Sequence, residues 1–165
     1  RVKTTLLLEN KEAAECLDEV LGLGGFDEIH IGLNDLHLSY GLTFMFELLS
    51  DGTVEKLCNK IAACGIPYGF GGIAGLGQGM LPAEKILIEH YRLGSTRVIL
   101  SRSFCDADKI GDITGIDNVF RNNLSALRSF ETNVSKMTDD EYVANHEEIA
   151  DIVASIVKAK KESLL

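Results

Sequence analysis

Apolar and polar positions alternate between two periods along this chain, and the switches between them define its units. An apolar run from Thr4 to Leu8 ends at Glu9. Asn10 then stands where a helix cap is expected, and Ala13, Ala14, Leu17, Val20 and Leu21 follow at helical spacing. Gly22, Gly24 and Gly25 close that helix. A second run, Phe26 to Ile31, alternates as a strand and breaks at Gly32 into a polar turn carrying Asn34 and Asp35. After a short apolar segment between Leu42 and Leu49 and a Ser50-Asp51-Gly52 break, Val54, Leu57, Ile61 and Cys64 mark one face of a helix.

Residues 66 to 70 read as a third strand, with Pro67 at its start where a missing N–H is tolerated. The glycine-rich loop 71–79 follows, and Pro82 opens a helix holding Ile86, Leu87, His90 and Tyr91. Thr96 to Leu100 make a fourth strand running into Ser101, Arg102 and Ser103. From Ile116 the pattern is helical, with Phe120, Leu124, Leu127 and Val134 in one stripe. A Thr138-Asp139-Asp140-Glu141 capping box starts a last helix with Ile149, Ile152, Val153, Ile156 and Val157 on its apolar side. The division expected is four strand-helix units over 1–113 and terminal helices over 114–165, packing on those units or on a neighbouring subunit. Strands alternating with helices, without hairpin signals, require a parallel sheet covered by helices. Four units fit an open doubly wound sheet or half of a (β/α)₈ barrel, which takes about 250 residues when whole.

Composition narrows the function classes. With 45% hydrophobic residues in 165, the chain can bury a core. A formal net charge of -9 argues against nucleic acid and against an anionic membrane surface, both of which need a basic face. Cys16, Cys58, Cys64 and Cys105 lack C-x-x-C spacing and read as free thiols, which suits a reducing cytoplasm. No apolar run is long enough to span a bilayer. The start at Arg1, running almost at once into a strand, sets the expectation that the chain is part of a longer protein.

The polar residues collect where the strands end, and in both architectures ligands bind there. Glu9 ends the first strand and Asp35 lies just past the second. Two carboxylates on adjacent strand ends can hold one hard divalent cation, Mg²⁺ or Mn²⁺, whose remaining positions go to water or substrate. A capping role for Glu9 and a turn role for Asp35 are the structural alternatives, and spacing alone does not choose. Gly71 and Gly72 invite either an anion cradle or a loop over the substrate; the loop departs from the dinucleotide fingerprint. Ser101 and Arg102 can bind a carboxylate or phosphate, or Arg102 can form a structural ion pair. His37, two positions past Asp35, is the candidate for proton transfer, whereas His30 reads as a core histidine and His90 and His146 as helix residues.

The runs Leu6-Leu7-Leu8-Glu9-Asn10-Lys11-Glu12-Ala13, Leu17-Asp18-Glu19-Val20-Leu21 and Phe26-Asp27-Glu28-Ile29-His30-Ile31-Gly32-Leu33-Asn34-Asp35-Leu36 resemble the metal-dependent HpcH/HpaI aldolase and citrate lyase family, with its phosphoenolpyruvate/pyruvate barrel. They are similar to that family's fifth strand, its helix and its sixth strand. The resemblance covers residues 3 to 105 and implies the carboxyl-terminal half, about strands 5 to 8, of a (β/α)₈ barrel with extra C-terminal helices. It further implies that Glu9 and Asp35 ligate the metal. The amides around Gly32, Leu33, Asn34 and Asp35 would contact an α-keto acid such as pyruvate, and the metal would stabilise an enolate during carbon-carbon cleavage or formation. Leu33 and Asn34 replace the family's usual proline and small residue, and Leu7 a frequent polar side chain, so the substrate stays open between α-keto acids and acyl compounds. The family's first four strands have no counterpart here. The expectation is therefore an incomplete site, an uncovered sheet edge and apolar flank, and a homo-oligomer or a partner chain. The competing reading is a non-catalytic barrel module for binding or oligomer assembly.

Overall fold

A computed structural model describes residues 2–163. Its strands are β1 (Thr5–Leu8), β2 (Glu28–Ile31), β3 (Tyr68–Ile73) and β4 (Arg97–Leu100), all parallel and in the order β1-β2-β3-β4. The helices are α1 (Lys11–Glu15), α2 (Leu17–Leu23), α3 (Leu33–Ser39), α4 (Glu47–Ser50), α5 (Thr53–Ala63), α6 (Ala83–Arg92), α7 (Ala107–Ile110), α8 (Ile113–Val134) and α9 (Asp139–Glu162). This is an α/β protein with a four-stranded all-parallel sheet, alternating helices and long helices at its end.

Three elements differ from the sequence expectation. The single helix expected after Asn10 is two, because the backbone turns out of helical geometry at Cys16 (φ -100, ψ 29). The polar turn expected at Asn34 and Asp35 is helix α3, whose Leu33, Leu36 and His37 are buried. Strand β3 runs on through Gly71 and Gly72 to Ile73, so those glycines belong to the sheet instead of a loop.

Strand alternation sorts the side chains onto two different faces. Leu8, Ile29, Ile31, Tyr68 and Phe70 point into the main core with Leu17, Leu57, Ile61 and Ile86 from the helices. A smaller cluster sets Ile73 against Leu87, Phe104 and Leu127. The opposite face carries Thr5, Leu7, Glu28, His30, Arg97 and Ile99, with Leu7 and Ile99 exposed. The covering expected for a parallel sheet is thus present on one face only.

Helix α9 lies on the chain's own α4 and α6, its Ile149 and Val153 buried in the main core. Its start is fixed by the capping box foreseen in the sequence: Thr138 accepts from the Glu141 amide while the Glu141 carboxylate accepts from the Thr138 amide. A buried ionic group then pins it. Glu89 of α6, fully buried, accepts from Arg92 at 2.7 Å and lies 2.9 Å from Nδ1 of His146, and Arg92 also reaches Glu55 of α5 at 2.9 Å. Removing one member of such a group strands a buried charge, at a cost of roughly 3–5 kcal/mol. Lys85 of α6 adds an ion pair to Glu148 on α9.

His90, also on α6, stacks on Phe70 with ring centroids 3.8 Å apart, and its Nδ1 meets Ser95 Oγ at 2.8 Å. Burial pushes its pKa down to about 3, and Nε2 has no partner. The unfolded chain takes up a proton at this ring near pH 6.5, whereas the folded chain refuses it until about pH 3. Stability at this site is therefore complete above about pH 6.5 and falls as pH drops from there toward 3, by up to about 1.4 kcal/mol per pH unit. His90→Phe, which keeps the stack and removes the titrating group, is expected to flatten that slope in urea denaturation measured at pH 7, 6, 5 and 4.

Candidate functional site

The β1–β2 ladder continues one step past Ile31, where the Gly32 amide donates to the Leu8 carbonyl at 2.8 Å. That bond sets Gly32 beside Glu9. A Cβ built on Gly32 would lie 2.9 Å from Glu9 Cβ and 3.1 Å from Glu9 Oε2, so the missing side chain is what lets the carboxylate lie over the strand end. Helix α3 starts immediately afterwards, with Asp35 in its first turn and exposed. The amides of Leu33, Asn34 and Asp35 are its first three, and no side chain caps them.

The structural alternatives for these two carboxylates can now be weighed. Asn10, not Glu9, caps α1, its side chain accepting from the Ala13 amide at 3.1 Å. Asp35 binds no turn amide. Among the described residues neither Glu9 nor Asp35 has a hydrogen-bond or ion-pair partner, although acidic groups elsewhere do: Asp106 holds Lys109, Asp117 holds Arg121 and Glu131 holds Arg128. Two unpartnered carboxylates at the ends of adjacent strands fit a hard cation that keeps water or substrate oxygens in its other positions. The described residues hold no cluster of three or more His, Cys, Asp or Glu fit for a metal, so these two would be the protein's whole share of the ligands.

The rim continues across the sheet. Gly71 has φ +56, and a Cβ there would meet Leu33 Cδ1 at 2.8 Å, so this residue needs both the left-handed backbone and the space glycine gives. Gly72 lies against Ser101, whose amide donates to the Ile73 carbonyl at 3.0 Å. Glu9, Gly32, Leu33, Gly71, Gly72 and Ser101 therefore form a continuous row across the four strand ends.

Two candidates fall outside that row. His37 sits two positions, or about 200°, round α3 from Asp35. It is buried, with Nδ1 3.2 Å from the Leu33 carbonyl oxygen, so helix geometry separates it from the exposed carboxylate. Arg102 is exposed in the turn after β4, near Asp106; the Asp106 carboxyl is held below its usual range by Lys109 first and by Arg102 among the lesser causes. The anion-cradle reading also weakens beyond β3. Gly77 already donates its amide to Glu84 at 2.6 Å, and a carboxylate there repels an incoming anion.

His30 is the residue the sequence undervalued. It lies under the rim on the uncovered face, its Nε2 3.1 Å from the Gly71 carbonyl oxygen, and burial lowers its pKa. The alternation Glu28, His30, Gly32 places it on the same face as Glu28 and was readable; that this face has no helices was not.

Gly32→Ala should force Glu9 away from the strand end. The variant is expected to fold, with far-UV circular dichroism unchanged, and to bind Mn²⁺ at least about tenfold more weakly by calorimetry, as outer-shell changes at metal sites do. No family model matches the chain, and neither a curated protein nor a solved structure matches it significantly.

Proposed function

We propose that this chain carries one side of the active site of a metal-dependent carbon-carbon lyase of the aldolase and citrate lyase type, acting on a pyruvate-like α-keto acid or acyl compound. The observation that carries the reading is the pair Glu9 and Asp35, unpartnered on adjacent strand ends, with Gly32 opened for the first. The sequence runs around the two residues support it through their resemblance to that family.

The architecture proposed is the carboxyl-terminal half of a (β/α)₈ barrel. A doubly wound sheet reverses its strand order at a switch point and carries helices on both faces. Here the order is sequential, and the face away from the helices holds a concavity of about 390 Å³ lined by Thr5, Leu7, Glu28, His30, Arg97 and Ile99. Sequential order with an open concave side is what half of a barrel presents.

In this reading Glu9 and Asp35 would hold Mg²⁺ or Mn²⁺, which supplies Lewis-acid polarisation of the substrate's oxygens. The chain's own groups do the rest of the positioning. The first amides of α3 offer donors to a substrate carboxylate, and Gly71 and Gly72 let it approach the sheet without side-chain obstruction. Ser101 offers a hydroxyl at the far end of the row. Arg102 and His37 stand apart from the row, so the charge that steadies the reacting group and the proton donor must come from elsewhere in the assembled enzyme. The open sheet face favours a second reading, a non-catalytic module for binding or assembly.

Isothermal titration with Mg²⁺ and Mn²⁺ tests the site: the unaltered protein should bind, and Glu9→Ala and Asp35→Ala should each weaken binding at least about tenfold. Equal binding in all three would sink it. Pyruvate release from a 2-keto-4-hydroxy acid, abolished by chelation, separates the lyase from the assembly module, which turns nothing over.

A further inference from the structure

We infer that a second copy of this chain closes the sheet into an eight-stranded barrel, β1 of each copy pairing in parallel with β4 of the other around a two-fold axis along the barrel. β1 is paired only with β2, and β4 only with β3, so each keeps one free row of backbone donors and acceptors. These edges run in the same direction and are four residues long. A two-fold rotation brings β4 of one copy beside β1 of the other twice over, keeps all eight strands parallel and leaves no edge.

The side chains on the open face fit that ring. Leu7 on β1 is 49% exposed and Ile99 on β4 is 55% exposed, so the two large apolar groups left in water stand on the two edge strands that would meet. Inside a closed eight-stranded barrel, inward side chains stack in layers of four drawn from alternate strands. Glu28 on β2 and Arg97 on β4 are such a pair, already joined at 2.8 Å, with Thr5 Oγ1 donating to Glu28 at 2.8 Å. Between them β3 contributes Gly69, which has no side chain to intrude. Two copies complete the layer as Glu28, Arg97, Glu28, Arg97. The charges alternate, the layer is neutral, and each carboxylate lies between two guanidinium groups. A face carrying one sign of charge would resist such closure; this one complements itself. The helices do not stand in the way, because they pack on the other face of the sheet.

The inference shares with the proposed function only the half-barrel reading of the sheet. Metal binding by Glu9 and Asp35 is measured separately, so the two can fail independently. Sedimentation equilibrium at micromolar concentration tests it on the whole chain. The unaltered protein should sediment at twice its 18.0 kDa chain mass. Arg97→Glu, which makes all four charges of the layer negative, should halve that mass with far-UV circular dichroism unchanged. The reciprocal swap Glu28→Arg with Arg97→Glu restores alternation and should restore the dimer. If Arg97→Glu alone does not fold, Ile99→Lys, at an exposed position, should give the same halving. A monomeric unaltered protein, a higher oligomer, a monomeric swap, or a dimer indifferent to both Arg97→Glu and Ile99→Lys each overturns the inference.

Discussion

The hydrogen bond from the Gly32 amide to the Leu8 carbonyl is the point on which the candidate site depends. It extends the parallel pairing of β1 and β2 by one residue beyond the strands themselves, and so brings the first residue after β1 level with the start of α3. Parallel strands present their carboxyl ends on one side by construction, which is why polar residues at those ends converge even when far apart in sequence. Glycine at 32 turns that convergence into contact, since any Cβ would occupy the space beside the Glu9 side chain. Glu9 is left with its carboxylate at the rim and no internal partner to neutralise it.

The rest of the molecule holds this rim rigid from below. Every large side chain on the helix face of the strands is buried, and α9 closes the layer from outside by reaching back to α4 and α6. The buried group of Glu89, Arg92, Glu55 and His146 fixes the angle between α5, α6 and α9, because a charge so deeply buried tolerates only an arrangement that keeps its partners. His90 works the other way: it is held neutral by burial and contributes a flat ring against Phe70. All of this order lies on one side of the sheet. The other side has an ion pair, a buried histidine and two exposed aliphatic side chains, an asymmetry that ties the fold to whatever completes it.

The strands were legible because Leu6, Leu8, Ile29 and Ile31 alternate with polar or exposed neighbours, and α9 was legible because Thr138 and Glu141 form a local motif that needs no tertiary partner. Helix α3 was hidden by its polar first turn, although Leu33, Leu36 and Tyr40 recur at helical spacing within it. The break at Cys16 follows no proline or glycine and left no mark in the pattern. At the site, Glu9 and Asp35 could be nominated from strand ends alone, but the absence of partners for either is a long-range property. The same holds for His37: two positions from Asp35 reads as adjacency in a turn and as opposite sides in a helix. Phe104 shows the limit most plainly, since a lone aromatic in a polar turn becomes, by packing on Leu127 and Phe120, an anchor of the second core.

The central claim is a divalent cation held between the ends of β1 and β2. Amide NMR of the ¹⁵N-labelled protein with substoichiometric Mn²⁺ reads it directly, because the paramagnetic ion broadens only nearby resonances. The account requires selective broadening of Glu9, Asn10 and residues 32–35, with amides at the amino ends of the strands, such as Thr5 and Arg97, left sharp. Broadening spread over the acidic surface of α8 and α9, with residues 32–35 unaffected, would contradict it.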